Sequence, residues 1–222
     1  LLRTGHLSEA IARFETYHPD QIGLQEQLRP QRFHREMPLL LSLIHLMLGN
    51  VEKGEHFAQQ GVEVGRQLDS PFVEAVGLMR LGHAAQLKPY RPWQPQQLEQ
   101  ARDYYLRAIE LIKPFNVVRV QVEPLWGLCR YYGYQGQLTE AHRLADQAID
   151  IAETAGDSWF VSLITATMGT SYALAGEFSQ ATEWLKKSAT RFVNVGDGFG
   201  EAAARVAQVF NLWQNASQVD AL

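Results

Sequence analysis

One six-residue pattern recurs along the chain: a glycine, any residue, an apolar residue, two further residues, then alanine or glycine. It reads GHLSEA from Gly5 to Ala10, GNVEKG from Gly49 to Gly54, GQLTEA from Gly136 to Ala141 and GEFSQA from Gly176 to Ala181. A fifth copy keeps only its second half, LEQA at Leu98 to Ala101. The last two glycines lie 40 residues apart, and the 87 residues from Gly49 to Gly136 are two such periods plus 7. The excess falls in an insertion, KPYRPWQPQQ, ahead of Leu98. The tripeptides AGD (Ala155 to Asp157) and VGD (Val195 to Asp197) keep the same phase. Self-similarity at a period between about 20 and 50 residues marks a repeat array, in which each copy buries its apolar face only by stacking on its neighbours.

Each copy reads as a helical hairpin. In the last full copy Leu163, Met168, Tyr172 and Leu174 fall mostly on one side of a first helix. Gly176 permits the left-handed residue that ends it, and Phe178, Ala181 and Leu185 mark a second helix. The following GD supplies a helix stop and an N-cap for the next copy. The same phase predicts helix pairs at about 36–48/51–68, 71–87/95–113, 118–135/138–155 and 159–175/178–195. A lone second helix at about 7–17 precedes them and a lone first helix at about 199–215 follows. Prolines respect this scheme: Pro71 follows the Ser70 cap, Pro38 and Pro124 fall in first turns, and Pro114 closes a helix. No segment sustains two-residue alternation, so the expected class is all-α: a right-handed α-solenoid of antiparallel helix pairs.

Small residues occupy fixed places in every copy. The eighth position of the first helix reads Ser42, Gly82, Cys129, Gly169 and Val209. The position opening the second helix reads Ala10, Gly54, Ala101, Ala141 and Ala181, and two turns later come Gly61, Ala108, Ala148 and Ser188. Such residues let two helices approach at the short end of the usual ~8–10 Å spacing.

This arrangement resembles the tetratricopeptide repeat (TPR), whose units carry a small residue at position 8, an aromatic at 11 and alanines at 20 and 27. Tyr132 and Tyr172 fill the aromatic position, and Ala141/Ala148 and Ala181/Ser188 fill the others. The first unit departs most, with His45, Gly54 and Gly61. The resemblance implies one TPR-like superhelix over 1–222, with units at about 35–74, 75–121, 122–161 and 162–201 and half-units at 1–17 and 199–215. Units of 40 residues with GD junctions look like the central helical domain of bacterial signal-transduction ATPases and of maltose-activator-like regulators of the LuxR type. The resemblance therefore implies a sensor or interaction segment of a larger cytoplasmic transcriptional regulator. The alternative is a free-standing scaffold or peptide-binding adaptor. Missing an initiator Met and carrying half-units at both ends, the sequence is expected to be part of a longer chain.

In that architecture first helices line a concave face, which brings Met79, His83, Glu123, Trp126, Arg130 and Tyr134 forward as a partner-binding cluster. Packing is the competing role for each of them, since an aromatic on a helix is more often core than recognition. Register places Thr170, Ala173, Phe210 and Trp213 on the same face, with Phe210 and Trp213 either lining it or covering a following unit. The proline-stiffened insertion projects Tyr90, Arg91 and Trp93 at one rim, or else folds onto its own hairpin through Trp93.

Chemistry-bearing motifs are sparse. Seven histidines show no H-E-x-x-H spacing and the one cysteine, Cys129, sits at a close-packed position, so neither a metal site nor a thiol nucleophile is expected. GDGFG at Gly196 to Gly200 lacks the preceding strand of a phosphate loop. With no nucleophile elbow and no paired carboxylates, no enzyme activity and no cofactor are expected. The 222 residues carry 20 basic and 24 acidic groups, net −4 and well mixed, which argues against direct nucleic-acid contact by this segment. The longest apolar run, MPLLLSLIHLMLG, is too short to span a bilayer. The expected partner is a protein or peptide, with a small-molecule inducer as the second class and end-to-end self-association of the half-repeats as a further contact.

Overall fold

Short, repeated turns set the architecture. The computed structural model describes residues 9, 12, 30–88, 95–115 and 117–219. Among the described residues there is no strand. The α-helices are α1 (Pro30–Met47), α2 (Val51–Gln67), α3 (Pro71–Leu87), α4 (Pro95–Ile112), α5 (Val122–Tyr134), α6 (Leu138–Thr154), α7 (Ser158–Leu174), α8 (Phe178–Val195) and α9 (Gly198–Val219). Two 3₁₀ turns, Lys113–Phe115 and Val118–Gln121, separate α4 from α5.

The turns are built alike. After the last helical turn comes a residue in the left-handed region: Gly49 at φ 77°, Gly136 at 73°, Gly156 at 69°, Gly176 at 80° and Gly196 at 72°. The next backbone N–H then returns to the carbonyl five residues back, as in Gln137 to Tyr132 (3.0 Å) and Glu177 to Tyr172 (2.9 Å). This is the Schellman closure, which satisfies carbonyls that a helix end would leave bare. After α2 the same closure, Ser70 N–H to the Gly65 carbonyl at 2.8 Å, is made around Asp69 at φ 47°. The repeat pattern has no glycine there and gives no sign of it. At the GD junctions the aspartates cap the following helices: Asp157 accepts from the Phe160 N–H (3.4 Å) and Asp197 from the Gly200 N–H (2.9 Å).

Three helix ends differ from expectation. α1 begins at Pro30, which places Pro38 inside the helix and not in its first turn. The missing proline N–H costs that helix one backbone bond. α5 begins at Val122, because Pro124 is tolerated only in a first turn, and the chain before it takes the tighter 3₁₀ form. α9 runs on to Val219. Of the expected helix at 7–17, only Glu9 and Ala12 are described, both helical and exposed.

The chain divides into two compact units between Val117 and Val118. In the first, α1 packs on α2, α2 on α3 and α3 on α4, with α1 also touching α3. In the second, α5 packs on α6, α6 on α7, α7 on α8 and α8 on α9, while α5 touches α7 and α7 touches α9. Within a unit each first helix therefore meets its own second helix and the next first helix, the arrangement of antiparallel helix-pair repeats.

The small residues make this possible. Ala101, Ala108, Ala141, Ala148, Ala181 and Ser188 are completely buried. A Cβ on Gly169 would stand 2.7 Å from Leu185 Cγ and 3.0 Å from its backbone nitrogen, and one on Gly82 would stand 2.5 Å from the Tyr105 ring. Where a hydroxyl replaces hydrogen or methyl, it donates across the helix pair: Ser42 to the Gly54 carbonyl (2.7 Å) and Ser188 to the Ser162 carbonyl (2.9 Å). Val209, the bulky exception at the eighth position, is instead exposed. No helix among the described residues is long and apolar enough to cross a membrane.

Candidate interaction site

Helical spacing places Trp126, Arg130 and Tyr134 one above another on α5, at i, i+4 and i+8. The Arg130 guanidinium carbon lies 5.3 Å from the Trp126 ring centroid and 5.6 Å from that of Tyr134, so the cation is held between two rings. Both distances are inside the ~6 Å range of cation–π attraction, worth roughly 0.5–1 kcal/mol per pair at exposed sites. All three side chains are half-buried. Trp126 is fixed from the far side: its indole N–H donates to Thr167 Oγ1 on α7 at 2.7 Å, and its ring meets Phe160 edge-on at 6.3 Å. Thr167 in turn donates to the Leu163 carbonyl (3.0 Å), which orients its oxygen to accept from the indole. Glu123 sits one turn before Trp126, also half-buried. Four of the expected residues are thus collected on one helix of the second unit. A planar cation flanked by aromatic faces offers directed donors and apolar area side by side, the mixture that anchors protein partners.

Met79 and His83 belong to the first unit, where both are buried. His83 Nδ1 and the Tyr105 hydroxyl lie 2.7 Å apart, and that hydroxyl also donates to Gln86 Oε1 (3.1 Å), joining α3 to α4. Arg80 is buried beside this group, and loss of solvent pulls its guanidinium down to about 10 against the opposing charge of Tyr105. Nothing in the sequence pattern singles out buried Tyr105; only the small size of the Gly82 position opposite it hints at a large neighbour. Tyr90, Arg91 and Trp93 lie outside the described residues.

Cys129 is fully buried with its Sγ 3.6 Å from Met168 Sδ. Burial pushes its thiol up to about 12 despite the nearby Arg130 charge, so it packs as a small apolar group. Between α6 and α7, His142 Nε2 and the Tyr172 hydroxyl lie 2.6 Å apart, with Trp184 edge-on to the imidazole at 5.5 Å. Tyr172 fills the repeat's aromatic position, and burial raises its phenol above the ordinary value. Among the described residues no group of three His, Cys, Asp or Glu side chains is placed to hold a metal ion.

The second unit also contains a recess of about 350 Å³ between α7, α8 and α9, lined by Thr170, Ala173, Leu174, Phe178, Leu185 and Phe210 among others. Register puts Thr170, Ala173 and Phe210 on one face. It does not show that their sizes leave a cavity.

No protein-family model and no curated protein sequence matches the chain. Among solved structures, a Podosopora anserina protein of nearly identical TPR-like repeats superposes with a TM-score of 0.54 at 16% identity, over 86% of this chain and 90% of that one. A point variant of the same Podosopora anserina protein matches to the same extent. The fold is TPR-like. A signal-transduction ATPase with numerous domains (STAND) from Pyrococcus horikoshii, which has a tetratricopeptide repeat sensor, matches with a TM-score of 0.52 at 15% identity. That alignment covers 93% of this chain and 30% of the STAND protein. For this TPR-like chain, identities so low speak to the fold alone.

Proposed function

We propose that the chain is a non-catalytic binding module that engages a protein or peptide through the first-helix face of its second unit, as the sensor or interaction segment of a larger bacterial signal-transduction ATPase or transcriptional regulator. The observation that carries the binding surface is Arg130 held between Trp126 and Tyr134, with Trp126 bonded across to α7. A fixed arginine–aromatic ladder loses little side-chain freedom on binding, which favours affinity at such a site. Support for the regulator setting is the TPR-like fold shared with a STAND protein whose repeats are named a sensor.

The test is affinity capture from a lysate of the source organism, with native mass spectrometry as readout and a Trp126→Ala/Arg130→Ala variant as control. A species retained by the wild type and lost by the variant, whose circular dichroism and Tm stay close to wild type, supports the reading. Equal retention by both proteins overturns it, as does the absence of any retained species. The regulator setting requires nucleotide-binding and output domains in the same gene, and a gene without them removes it.

A further inference from the structure

The motif GDGFG, Gly196 to Gly200, leads into α9. Gly198 and Gly200 both fall in the first turn of that helix, and glycine is the poorest helix former after proline. At Gly200 the choice is forced, since a Cβ there would stand 2.5 Å from the Phe192 ring and 2.8 Å from Asp197 Oδ2. The turn is therefore weak in itself and closes on one residue. Asp197 Oδ1 accepts the Gly200 N–H at 2.9 Å, and the Glu201 N–H returns to the Asp197 carbonyl at 3.0 Å. Such a turn has two states, closed on Asp197 or frayed.

The support for Asp197 comes from α7. Its Oδ2 accepts the Trp159 indole N–H at 2.8 Å, and Trp159 packs against Ala189, Phe192 and Ala204. The next residue, Phe160, meets α5 instead, edge-on to Trp126 at 6.3 Å. The Trp159 and Phe160 rings also meet each other edge to face, with centroids 5.2 Å apart. Both separations lie within the ~4.5–7 Å of favourable aromatic pairs. Asp157 steadies the pair by capping α7 at the Phe160 N–H. A second tie, the Trp126 indole N–H to Thr167 Oγ1 at 2.7 Å, makes α7 follow the indole. Two adjacent residues in the first turn of α7 thus join the arginine ladder to the cap of α9. Neither neighbouring period repeats these two rings: the places read Arg119 and Val120 before, and Phe199 and Gly200 after.

We propose that the arginine ladder and the first turn of α9 are coupled through Phe160 and Trp159, so that a partner seated on the ladder closes the turn. A partner that fixes Trp126 fixes Phe160 against it, keeps Trp159 on Asp197 and favours the closed state. Coupling is reciprocal, so fraying of the turn loosens the ladder. The turn supplies the two-state element that such coupling requires. The inference rests on the ladder as the binding surface proposed above and adds its regulation.

The test is hydrogen exchange followed by NMR on the intact chain, with no partner added. In Trp126→Leu the Gly200 and Glu201 amides should exchange about threefold faster or more, while the Leu185 and Ser188 amides on α8 keep their wild-type rates. Gly198→Ala runs the coupling backwards. A Cβ at Gly198 meets nothing within 4 Å and favours the helix, so it should slow the Gly200 and Glu201 amides and also the distant Trp126 indole N–H. Adding Trp159→Phe, which removes the donor to Asp197, should abolish that effect on the indole. Unchanged α9 amides in Trp126→Leu overturn the coupling, and so does equal acceleration on α8, which is loss of stability at large. An indole indifferent to Gly198→Ala, or slowed even with Trp159→Phe, overturns it too. Should Trp126→Leu not fold, the Gly198→Ala arm decides by itself. Unchanged exchange leaves the capture result standing, whereas an empty capture with coupled exchange removes the ladder as a binding surface and keeps the coupling.

Discussion

At the scale of single residues, close packing governs what the chain tolerates. Gly169 has no room for a methyl group, since its Cβ would crowd both the side chain and the backbone of Leu185. Backbone cannot yield as a flexible side chain can, so Gly169→Ala should destabilise by about 1–3 kcal/mol, read from the urea midpoint at constant slope. Cys129 makes a second case. Its thiol is held up near 12, while the unfolded chain releases that proton above the ordinary thiol pKa of roughly 8.5. The folded state then binds the extra proton, so this residue's contribution is full below pH ~8.5 and is lost as pH rises toward 12, by about 1.4 kcal/mol per pH unit. Urea denaturation between pH ~8 and ~11 should show wild type losing stability more steeply than Cys129→Ala. Parallel curves would remove the thiol as the cause.

Among elements, stability is decided at the junctions. Asp197 both caps α9 through the Gly200 N–H and accepts the Trp159 indole N–H at 2.8 Å, tying α7 to the start of α9. Losing two hydrogen bonds to a buried carboxylate should cost about 3 kcal/mol in Asp197→Ala. Chemical denaturation checks the size, and a loss near ~1 kcal/mol, that of a cap alone, would deny Asp197 its second role. The turn after α2 predicts the opposite sign. Asp69 holds a left-handed conformation that glycine adopts without strain, so Asp69→Gly should stabilise by about 0.5–1 kcal/mol and raise Tm by a few degrees. A lowered Tm would mean that the aspartate side chain supports the turn.

At the scale of the whole molecule, a repeat array adds nearest-neighbour terms and does not share one core. Within each unit every helix packs on its immediate neighbours in sequence, and first helices also meet the next of their own kind. A lesion in one step should therefore stay local. Gly169→Ala should broaden or split the calorimetric transition, with the first unit melting at its wild-type temperature. A single sharp transition displaced as a whole would show that the two units unfold together.

The period of 40, the helix pairs, the glycine turns and the close-packed alanines are all legible in the sequence, because each depends on a residue and its neighbours within one repeat. So is the Trp126–Arg130–Tyr134 stripe, since i, i+4 spacing alone brings those side chains together. Asp69 escapes because aspartate reaches the left-handed region less readily than glycine and carries no signal when it does. Pro38 inside α1 escapes because the chain sustains a helix where local preference would end it. Other features depend on what faces what. His83 is buried against Tyr105 because α4 delivers that tyrosine to the gap Gly82 leaves. The recess beside α9 depends on how α7, α8 and α9 face one another. Residue order alone settles what repeats in this chain, whereas packing settles where the repeats fail to be equal, because burial and empty volume are properties of two facing surfaces and not of either segment alone.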